Sequence, residues 1–360
     1  MVDFPPQGTN TRTESIIIYE GDDTTDLTTG NAKRSIRMPY AMTLTEVRAS
    51  LVGAATGAVK ASGTIVCASV VANTFSTATV TCASVLAADT VTINGLLYTA
   101  VSGARANDTE FSIDTSDTAC GIDLEAAIDG DSRTGTSGDV SGDDNGSGVV
   151  TCTTTITGTG GNAITIVSSN GTRLAVTGSG NFTGGVTADT AVVNGLTYTA
   201  VGATKADDTE FDISGTNDQA ATDLADSIDD DVRTGTLADL TSTATTDTVT
   251  SVSTLFGTRG NAVTLASSDE AGRLTISAST FASGANEFTA DVHDSGTTIF
   301  SGVDKLVIDE SELTTTTAVF PPIITDINLA DDALITIDID TVGGSAAGKG
   351  LKVTLIGHRA

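Results

Sequence analysis

Hydrophobic and polar residues alternate over two separate stretches of the chain, residues 14–57 and 288–360. Near the carboxyl end, Ile335, Ile337 and Ile339 are separated by single polar residues, and the stretch LKVTLIG that follows has the same period of two. Successive side chains of a β-strand point to opposite faces, so this period predicts strands that bury one face. Gly and Pro interrupt both stretches at the spacing of turns in a β-sandwich.

The middle of the chain repeats itself. Residues 88–113 and 188–213 are identical at 16 of 26 positions without a gap. Both copies begin with two short runs rich in Thr, Val and Tyr, one on each side of an Asn-Gly pair. An Asn-Gly pair tolerates the positive φ angles of a two-residue turn, so each copy predicts a β-hairpin. We interpret the repeat as the tandem duplication of a structural unit of about 100 residues.

Each unit also predicts one helix. In the second copy, residues 217–230 place Leu224 and Ile228 at helical spacing, and Leu124 and Ile128 are their counterparts in the first. A glycine and a β-branched residue weaken the helical pattern of the first copy. Thr-rich strands follow both helices. The sequence therefore predicts two small α+β modules, each with a hairpin, a helix and an antiparallel meander.

The predicted fold class is mainly β, a discontinuous antiparallel β-sandwich with two inserted tandem small α+β modules. The two alternating stretches together have a normal size for one domain, and loop tips tolerate insertions. The predicted boundaries are 1–13 for an N-terminal arm, 14–57 with 288–360 for the anchoring and trimerising sandwich, 58–86 for connecting strands, 87–186 for the first inserted repeat and 187–287 for the second. The arm is either disordered or extended on a partner.

Charge restricts the partners of the chain. It carries 46 acidic and 17 basic residues, a formal net charge of −29. Such a surface repels phosphate backbones, so we expect no nucleic-acid partner. We expect no membrane insertion either, because the sequence contains no apolar run of about 18 residues and no signal-peptide pattern.

The four cysteines predict no zinc site, because no two of them form a CxxC pair. The near-identical phrases VCASV and TCASV, at 66–70 and 81–85, suggest that Cys67 and Cys82 lie on neighbouring strands. That leaves two alternatives open for this pair, a disulfide or two buried free thiols.

No catalytic, metal-binding or cofactor-binding residue is predicted. Neither His293 nor His358 is accompanied by a nucleophile motif. The acidic clusters do not match a calcium-binding loop. Asp129 and Asp131 come nearest, but Arg133 stands where a third oxygen ligand is needed.

Two tyrosines are the candidate binding residues. Tyr98 and Tyr198 occupy equivalent positions just after the hairpin turns. One interpretation makes them platforms for contact with a glycan; the other makes them packing residues of a strand. Phe111 and Phe211, which follow the repeated phrase DTE, are expected in the core.

Several phrases resemble those of a known group of proteins. RMPYAMTLTEVRASL at 37–51 and GKGLKVTLIG at 348–357 resemble a β-sandwich domain of tailed-bacteriophage structural proteins. The repeated pattern ADT…NGLTYTAV…DTEFDI…GNAVTL is similar to repeat modules of phage virion proteins, particularly tail fibres and decoration proteins. These motifs mark strands and turns, and no catalytic residue is carried over with them.

The resemblance implies a non-enzymatic structural protein on the virion surface, assembled in the host cytoplasm. Its expected partners are other virion proteins of the capsid, neck or tail, and by analogy it is expected to form a homotrimer. An alternative is an adhesin that recognises host-surface glycan. A glycan depolymerase is a weaker third interpretation, since few aromatic residues and a long repeat differ from the β-helix usual in such enzymes.

Overall fold

The computed structural model describes residues 12–133, 140–178, 180–233, 240–268 and 272–360. Strands make up 47% and helices 12% of the chain, so the protein is mainly β, as predicted. Apart from its last two residues, the predicted arm 1–13 lies outside the described residues, and Thr13 already begins a strand.

The elements follow one another in four groups. The first group is β1 (Thr13–Glu20), β2 (Gly30–Arg37), β3 (Met42–Ser50), β4 (Lys60–Cys67) and β5 (Phe75–Cys82). The second is β6 (Thr90–Ile93), β7 (Leu96–Val101), β8 (Glu110–Ser112), α1 (Asp117–Gly130), β9 (Val140–Asp144), β10 (Val149–Thr157), β11 (Ile166–Ser168) and β12 (Leu174–Val176). The third is β13 (Thr190–Val193), β14 (Leu196–Val201), β15 (Glu210–Asp212), α2 (Asn217–Asp230), β16 (Leu240–Thr245), β17 (Thr248–Phe256), β18 (Leu265–Ser267) and β19 (Leu274–Ile276). The last is β20 (Phe288–Asp294), β21 (Thr297–Thr298), β22 (Leu306–Ile308), β23 (Asn328–Leu329), β24 (Leu334–Val342) and β25 (Leu351–Arg359).

The two ends of the chain form one sandwich. One sheet has the order β1-β25-β3-β23 and the other the order β2-β24-β20-β21, with β22 also paired to β20. All of these pairs are antiparallel. Ile335, Ile337 and Ile339 are buried in the core between the sheets, together with Phe288 and Leu355. The alternation in the sequence therefore predicted the buried face correctly.

The part of the chain between the two halves of the sandwich forms two further hydrophobic cores. We call residues 72–188 module A, and residues 58–71 with 189–287 module B. Each core is enclosed by two four-stranded sheets: β12-β5-β10-β9 and β11-β6-β7-β8 in module A, β19-β4-β17-β16 and β18-β13-β14-β15 in module B. Phe111 and Phe211 are fully buried, as expected.

The segment 58–86 differs from the prediction of connecting strands. Strand β4 lies between β17 and β19 of module B, and β5 lies between β10 and β12 of module A. Each of these two strands has a hydrogen-bonded neighbour on both sides, so it is an interior strand of its module and not a connection. Module A is consequently nested within module B, entering after β4 and leaving before β13.

The strands within each module are arranged differently from a simple meander. The short strand after the hairpin, β8 or β15, pairs in parallel with β7 or β14. After the helix and the hairpin that follows it, the last two strands separate: β11 returns to β6 and β12 to β5. Their buried residues, Ile166 and Leu174, reach the same core from opposite sheets.

Local signals in the sequence explain the hairpins and helices. Asn94 and Asn194 both have φ near +51°, followed by glycine, so the predicted two-residue turns are confirmed. Helix α2 begins at a capping box, in which Thr216 and Gln219 satisfy each other's backbone N–H groups. The hydroxyl of Ser116 caps α1 by accepting from the Ala119 N–H.

Gly121 in α1 is required by a close approach rather than by a turn. A Cβ atom at this position would press on the Asp144 carboxylate and lie 2.8 Å from the Cα of Gly148. In module B the equivalent residue is Ala221, fully buried against a partner strand that has no carboxylate at the corresponding position, Ala244. The glycine that weakens the first helical pattern therefore makes room for the β9–β10 turn.

Cys67 and Cys82 do not lie on neighbouring strands. Cys67 belongs to the core of module B and Cys82 to that of module A, as equivalent residues of β4 and β5. All four cysteines are free thiols and buried, the second of the two alternatives. The two near-identical phrases correspond because each ends the first strand of its module.

Candidate functional site

The predicted tyrosine of module A is part of a three-residue polar network. Tyr98 on β7 points into the module, and its hydroxyl donates to Oδ2 of Asp131 at 2.8 Å. Asp131 directly follows α1 and accepts from Nε of Arg133 at 2.9 Å and from its terminal nitrogen at 2.6 Å. The guanidinium carbon of Arg133 lies 5.3 Å from the centroid of the Tyr98 ring. We call this arrangement the Tyr–Asp–Arg triad.

Module B contains the same triad in nearly the same geometry. The Tyr198 hydroxyl donates to Asp231 at 2.9 Å, and Arg233 donates to that carboxylate at 2.6 Å. The guanidinium carbon of Arg233 lies 5.6 Å from the Tyr198 ring centroid. The duplication therefore preserved a complete side-chain network and not only the strand pattern.

Each member of the triad fixes the ionisation of the next. Burial favours the neutral form of Asp131, but the hydrogen bonds from Arg133 and Tyr98 outweigh it and hold the pKa of this carboxyl below its ordinary value. Burial and the neighbouring carboxylate raise the pKa of Tyr98, which stays protonated. Hydrogen bonding to Asp131 raises the pKa of Arg133. The triad is thus a proton-retaining structural network, without a group poised to exchange protons near neutral pH.

Burial favours the packing interpretation of the two tyrosines. Tyr98 is 3% exposed and Tyr198 1% exposed, so neither ring presents a face on which a sugar could stack. The carboxylates Asp131 and Asp231 are also buried, and only the arginines reach solvent. The polar atoms of both tyrosines are used inside the protein.

A second pair of charged residues also recurs and was missed in the sequence. Asp89 accepts from Nε and a terminal nitrogen of Arg173 at 2.6 and 2.5 Å, and Asp189 accepts from Arg273 at 2.9 and 2.7 Å. Both pairs span 84 positions. Both residues lie in repeated phrases, ADT and Arg-Leu, at matching positions of the two copies, but neither phrase indicates that the aspartate and the arginine are partners. We call each Asp–Arg pair a clamp.

The sandwich carries a cluster of mixed charges. His293 lies between two carboxylates, with Nε2 3.4 Å from Asp291 and Nδ1 3.2 Å from Asp338. Lys305 lies 2.9 Å from Asp291 and 2.8 Å from Asp340. Burial would lower the pKa of Lys305, but the two carboxylates outweigh it and raise it. Asp291 and His293 lie on β20, and Asp338 and Asp340 lie on β24. Lys305, which directly precedes β22, connects the two strands through its contacts with Asp291 and Asp340.

The remaining sequence candidates give no site. In the described part of the chain, no group of three or more His, Cys, Asp or Glu side chains is arranged to hold a metal ion. Arg133, which stood where a calcium ligand was needed, neutralises Asp131 instead. Burial raises the pKa of Cys67 and of Cys152 to about 12, so these thiols are poor nucleophiles.

Two other observations concern surfaces. A groove of about 370 Å³ lies beside β3, lined by Thr45, Arg48, Thr315 and Pro321 among others. The described helices include none with the length and apolar character needed to cross a bilayer.

Comparison of the chain with protein-family models, with curated proteins and with solved structures found no match in any of the three.

Proposed function

We propose that this chain is a non-enzymatic structural subunit of a tailed-phage virion, a surface fibre or decoration protein. In this proposal the sandwich anchors the subunit to other virion proteins of the capsid, neck or tail, and modules B and A project from it. Three copies associate through the sandwich.

The observation that carries the proposal is the way in which each module is attached. The chain leaves the sandwich before β4 and re-enters it at β20, and these two connections are bonded to each other: the Val59 N–H donates to the Ala285 carbonyl at 2.8 Å. Module A leaves module B in the same way, with the Thr74 N–H donating to the Val186 carbonyl at 3.0 Å. Module B is thus joined to the sandwich, and module A to module B, by one double-stranded connection each. Such a connection suits a projecting appendage.

Contacts at the first connection support a fixed attachment. The Glu310 carboxylate accepts from the N–H groups of Gly57 and Ala58 at 3.0 and 2.8 Å. Arg259 of module B lies 3.3 Å from Asp304 of the sandwich and 4.6 Å from the Phe320 ring centroid. Charged hydrogen bonds on both sides of the connection restrict its movement.

An uncharged segment of the sandwich supports the proposed trimer. Residues 313–325 contain no charged side chain, in a chain with a net charge of −29. Leu313, Val319 and Ile323 in this segment are about half exposed or more. Self-association of an acidic protein meets least repulsion on such a surface.

The trimer is tested by sedimentation equilibrium of the purified chain, whose monomer mass is 36.1 kDa. We expect a single species of three monomers, and conversion to monomer in the double variant Val319→Asp and Ile323→Asp. The matched control replaces the exposed Val232 of module B by Asp. A monomeric wild-type chain at micromolar concentration would remove the trimer from the proposal.

The location on a virion is tested by immunogold electron microscopy of purified phage particles, with antibodies against module A. Regular labelling of the capsid, neck or tail is expected. If the chain is abundant in the infected lysate but missing from purified particles, the virion proposal is wrong.

The adhesin is the second candidate function, and one observation on module A favours it. Leu97 and Val167 are about half exposed on the outer face of one sheet, each opposite Thr92 on β6. The equivalent residues of module B are Thr197 and Ala266. Module A therefore presents two large exposed apolar side chains at positions where module B has Thr and Ala.

A glycan array with the full chain separates the two functions. The double variant Leu97→Thr and Val167→Ala gives module A the residues of module B and is the matched control. Binding by the wild type that this variant loses would favour the adhesin. The absence of binding would leave the structural role.

A further inference from the structure

Each module contains an equivalent pair of residues that lie side by side in the fold. The length of chain between the two residues differs greatly between the modules. In module A, Leu86 and Asp89 are joined by a two-residue turn, Ala87-Ala88. In module B the equivalent residues are Val71 and Asp189, and between them lies the whole of module A. Module A thus occupies in module B the place that two alanines occupy in module A.

The hydrogen bonds that join the two ends are the same in both modules. The N–H of Leu86 donates to the Asp89 carboxylate at 2.9 Å, and the Asp89 N–H donates back to the Leu86 carbonyl at 3.0 Å. In module B, Val71 donates to Asp189 at 2.9 Å, and Asp189 donates to the Val71 carbonyl at 2.9 Å. Replacing two residues by a folded module has kept both of these bonds. One further bond differs: the N–H before the aspartate donates to the Ala100 carbonyl in module A, from Ala88 at 2.9 Å, and to the Asn73 side chain in module B, from Ala188 at 2.9 Å.

The clamp explains why closure does not depend on the loop. Arg173 holds the Asp89 carboxylate from within the module, while the backbone N–H of Ala100 donates to the Asp89 carbonyl at 2.8 Å. Arg273 and Ala200 do the same for Asp189. The aspartate is therefore positioned by its own module. Its carboxylate accepts from the N–H of Leu86 or Val71 whatever length of chain separates the two residues.

The entering and leaving ends of module A lie next to each other, as an insertion between two neighbouring residues requires. Its entering and leaving strands are bonded at Thr74 and Val186, and the Ala188 N–H donates to the Asn73 side chain at 2.9 Å. A folded domain whose two ends are adjacent costs an acceptor loop little entropy, because its ends are already closed.

We propose that the turn Leu86–Asp89 of module A is an acceptor site for a further folded domain with adjacent ends, and that a second copy of module A is the domain that fits it. Ala87 and Ala88 are exposed at this turn. Ala88 is held at φ +73°, a conformation unfavourable for alanine, so opening the turn removes strain. The inference stands independently of any role in a virion.

The test inserts a copy of residues 72–188 in place of Ala87-Ala88 in the full chain. The matched control inserts the same copy between Asn94 and Gly95, a hairpin turn of the same module without a clamp. A complementary variant deletes residues 72–188 and joins Val71 to Asp189 through two alanines. Because the protein contains no Trp, unfolding is followed by calorimetry and circular dichroism, with hydrogen exchange to identify the module that opens.

We expect the insertion at Leu86–Asp89 to leave the unfolding midpoint within about 2 °C of the parent, and the control insertion to lower it by about 5 °C or more. The deletion variant should retain the exchange protection of α2 and β13. Equal losses for the two insertions, or loss of module B protection in the deletion variant, would overturn the proposal. In the insertion variant, Arg173→Gln should remove the tolerance of the insertion, so that the unfolding midpoint falls as it does for the control insertion.

Discussion

Removing one hydroxyl from each triad tests whether the tyrosines stabilise the modules. In Tyr98→Phe and Tyr198→Phe the buried ring remains, so packing is almost unchanged. What is lost is a hydrogen bond of 2.8 or 2.9 Å to an ionised carboxylate. Hydrogen bonds to charged groups contribute about 1.5–3 kcal/mol. Since Arg133 and Arg233 still satisfy the two carboxylates, we expect the lower end, about 1.5 kcal/mol for each variant.

The duplication supplies an internal control for this measurement. The two triads lie in different cores, so the losses should be nearly equal, and the double variant should show their sum. Because several cores unfold, hydrogen exchange is preferable to one global transition. Protection should fall in α1 and β7 for Tyr98→Phe, and in α2 and β14 for Tyr198→Phe.

The pH dependence gives the sign of the effect. The folded-state pKa values of Asp131 and Asp231 lie below the unfolded value, so their contribution is present above that value and is lost as the pH falls through the folded pKa. The phenylalanine variants should therefore differ most from the wild type at neutral pH and least in acid. A loss below about 0.3 kcal/mol, or one that is constant with pH, would refute the triad as a stabilising network.

Three further changes give definite outcomes. Gly121→Ala should destabilise module A by about 1–3 kcal/mol in denaturant titrations, because the added methyl group collides with the β9–β10 turn. Ala88→Gly should stabilise module A by up to about 1 kcal/mol, because glycine adopts the positive φ of this turn without strain. Burial raises the pKa of Glu287 despite the opposing hydrogen bond from Thr258, so its contribution to stability falls as the pH rises above the ordinary value of 4.5. Glu287→Gln should accordingly raise the calorimetric midpoint at neutral pH and have little effect in acid; no gain at neutral pH would contradict this.

The elements that the sequence predicted well are those specified by local chemistry. The alternation around Ile337 identified the buried face of a long strand, because the period of two leaves little choice of register. Asn94 and Asn194 identified their hairpins, because few other residues accept the φ angles of the turn. The bounds of α2 were predicted without error, since Thr216 caps it and its apolar residues follow one face.

The triads and clamps were not predictable in the same way. Asp131 lies 33 positions from Tyr98, and Arg173 lies 84 positions from Asp89, so no local pattern relates the partners. A tyrosine in a strand combines an apolar ring with a polar hydroxyl, so it fits a core position where that hydroxyl has a partner and also a binding surface. The glycan-contact interpretation of the tyrosines arose from that ambiguity, and burial of the rings favours the other interpretation.

The nesting of the modules was nevertheless recorded in the sequence, in the spacing of its repeated phrases. VCASV and TCASV begin 15 residues apart, whereas the phrases after them recur about 100 residues apart. Two simple tandem copies would show one spacing throughout. Two spacings arise when one copy lies inside the other, so that the first strands of the two modules are adjacent in the chain and their remaining strands follow in turn. This order requires the outer module to close around the inner one, which the clamp at Asp189 achieves from its own side of the loop. The clamp at Asp89 closes the corresponding turn in the same way, so the chemistry that permitted one insertion is present again at the far end of the inner module.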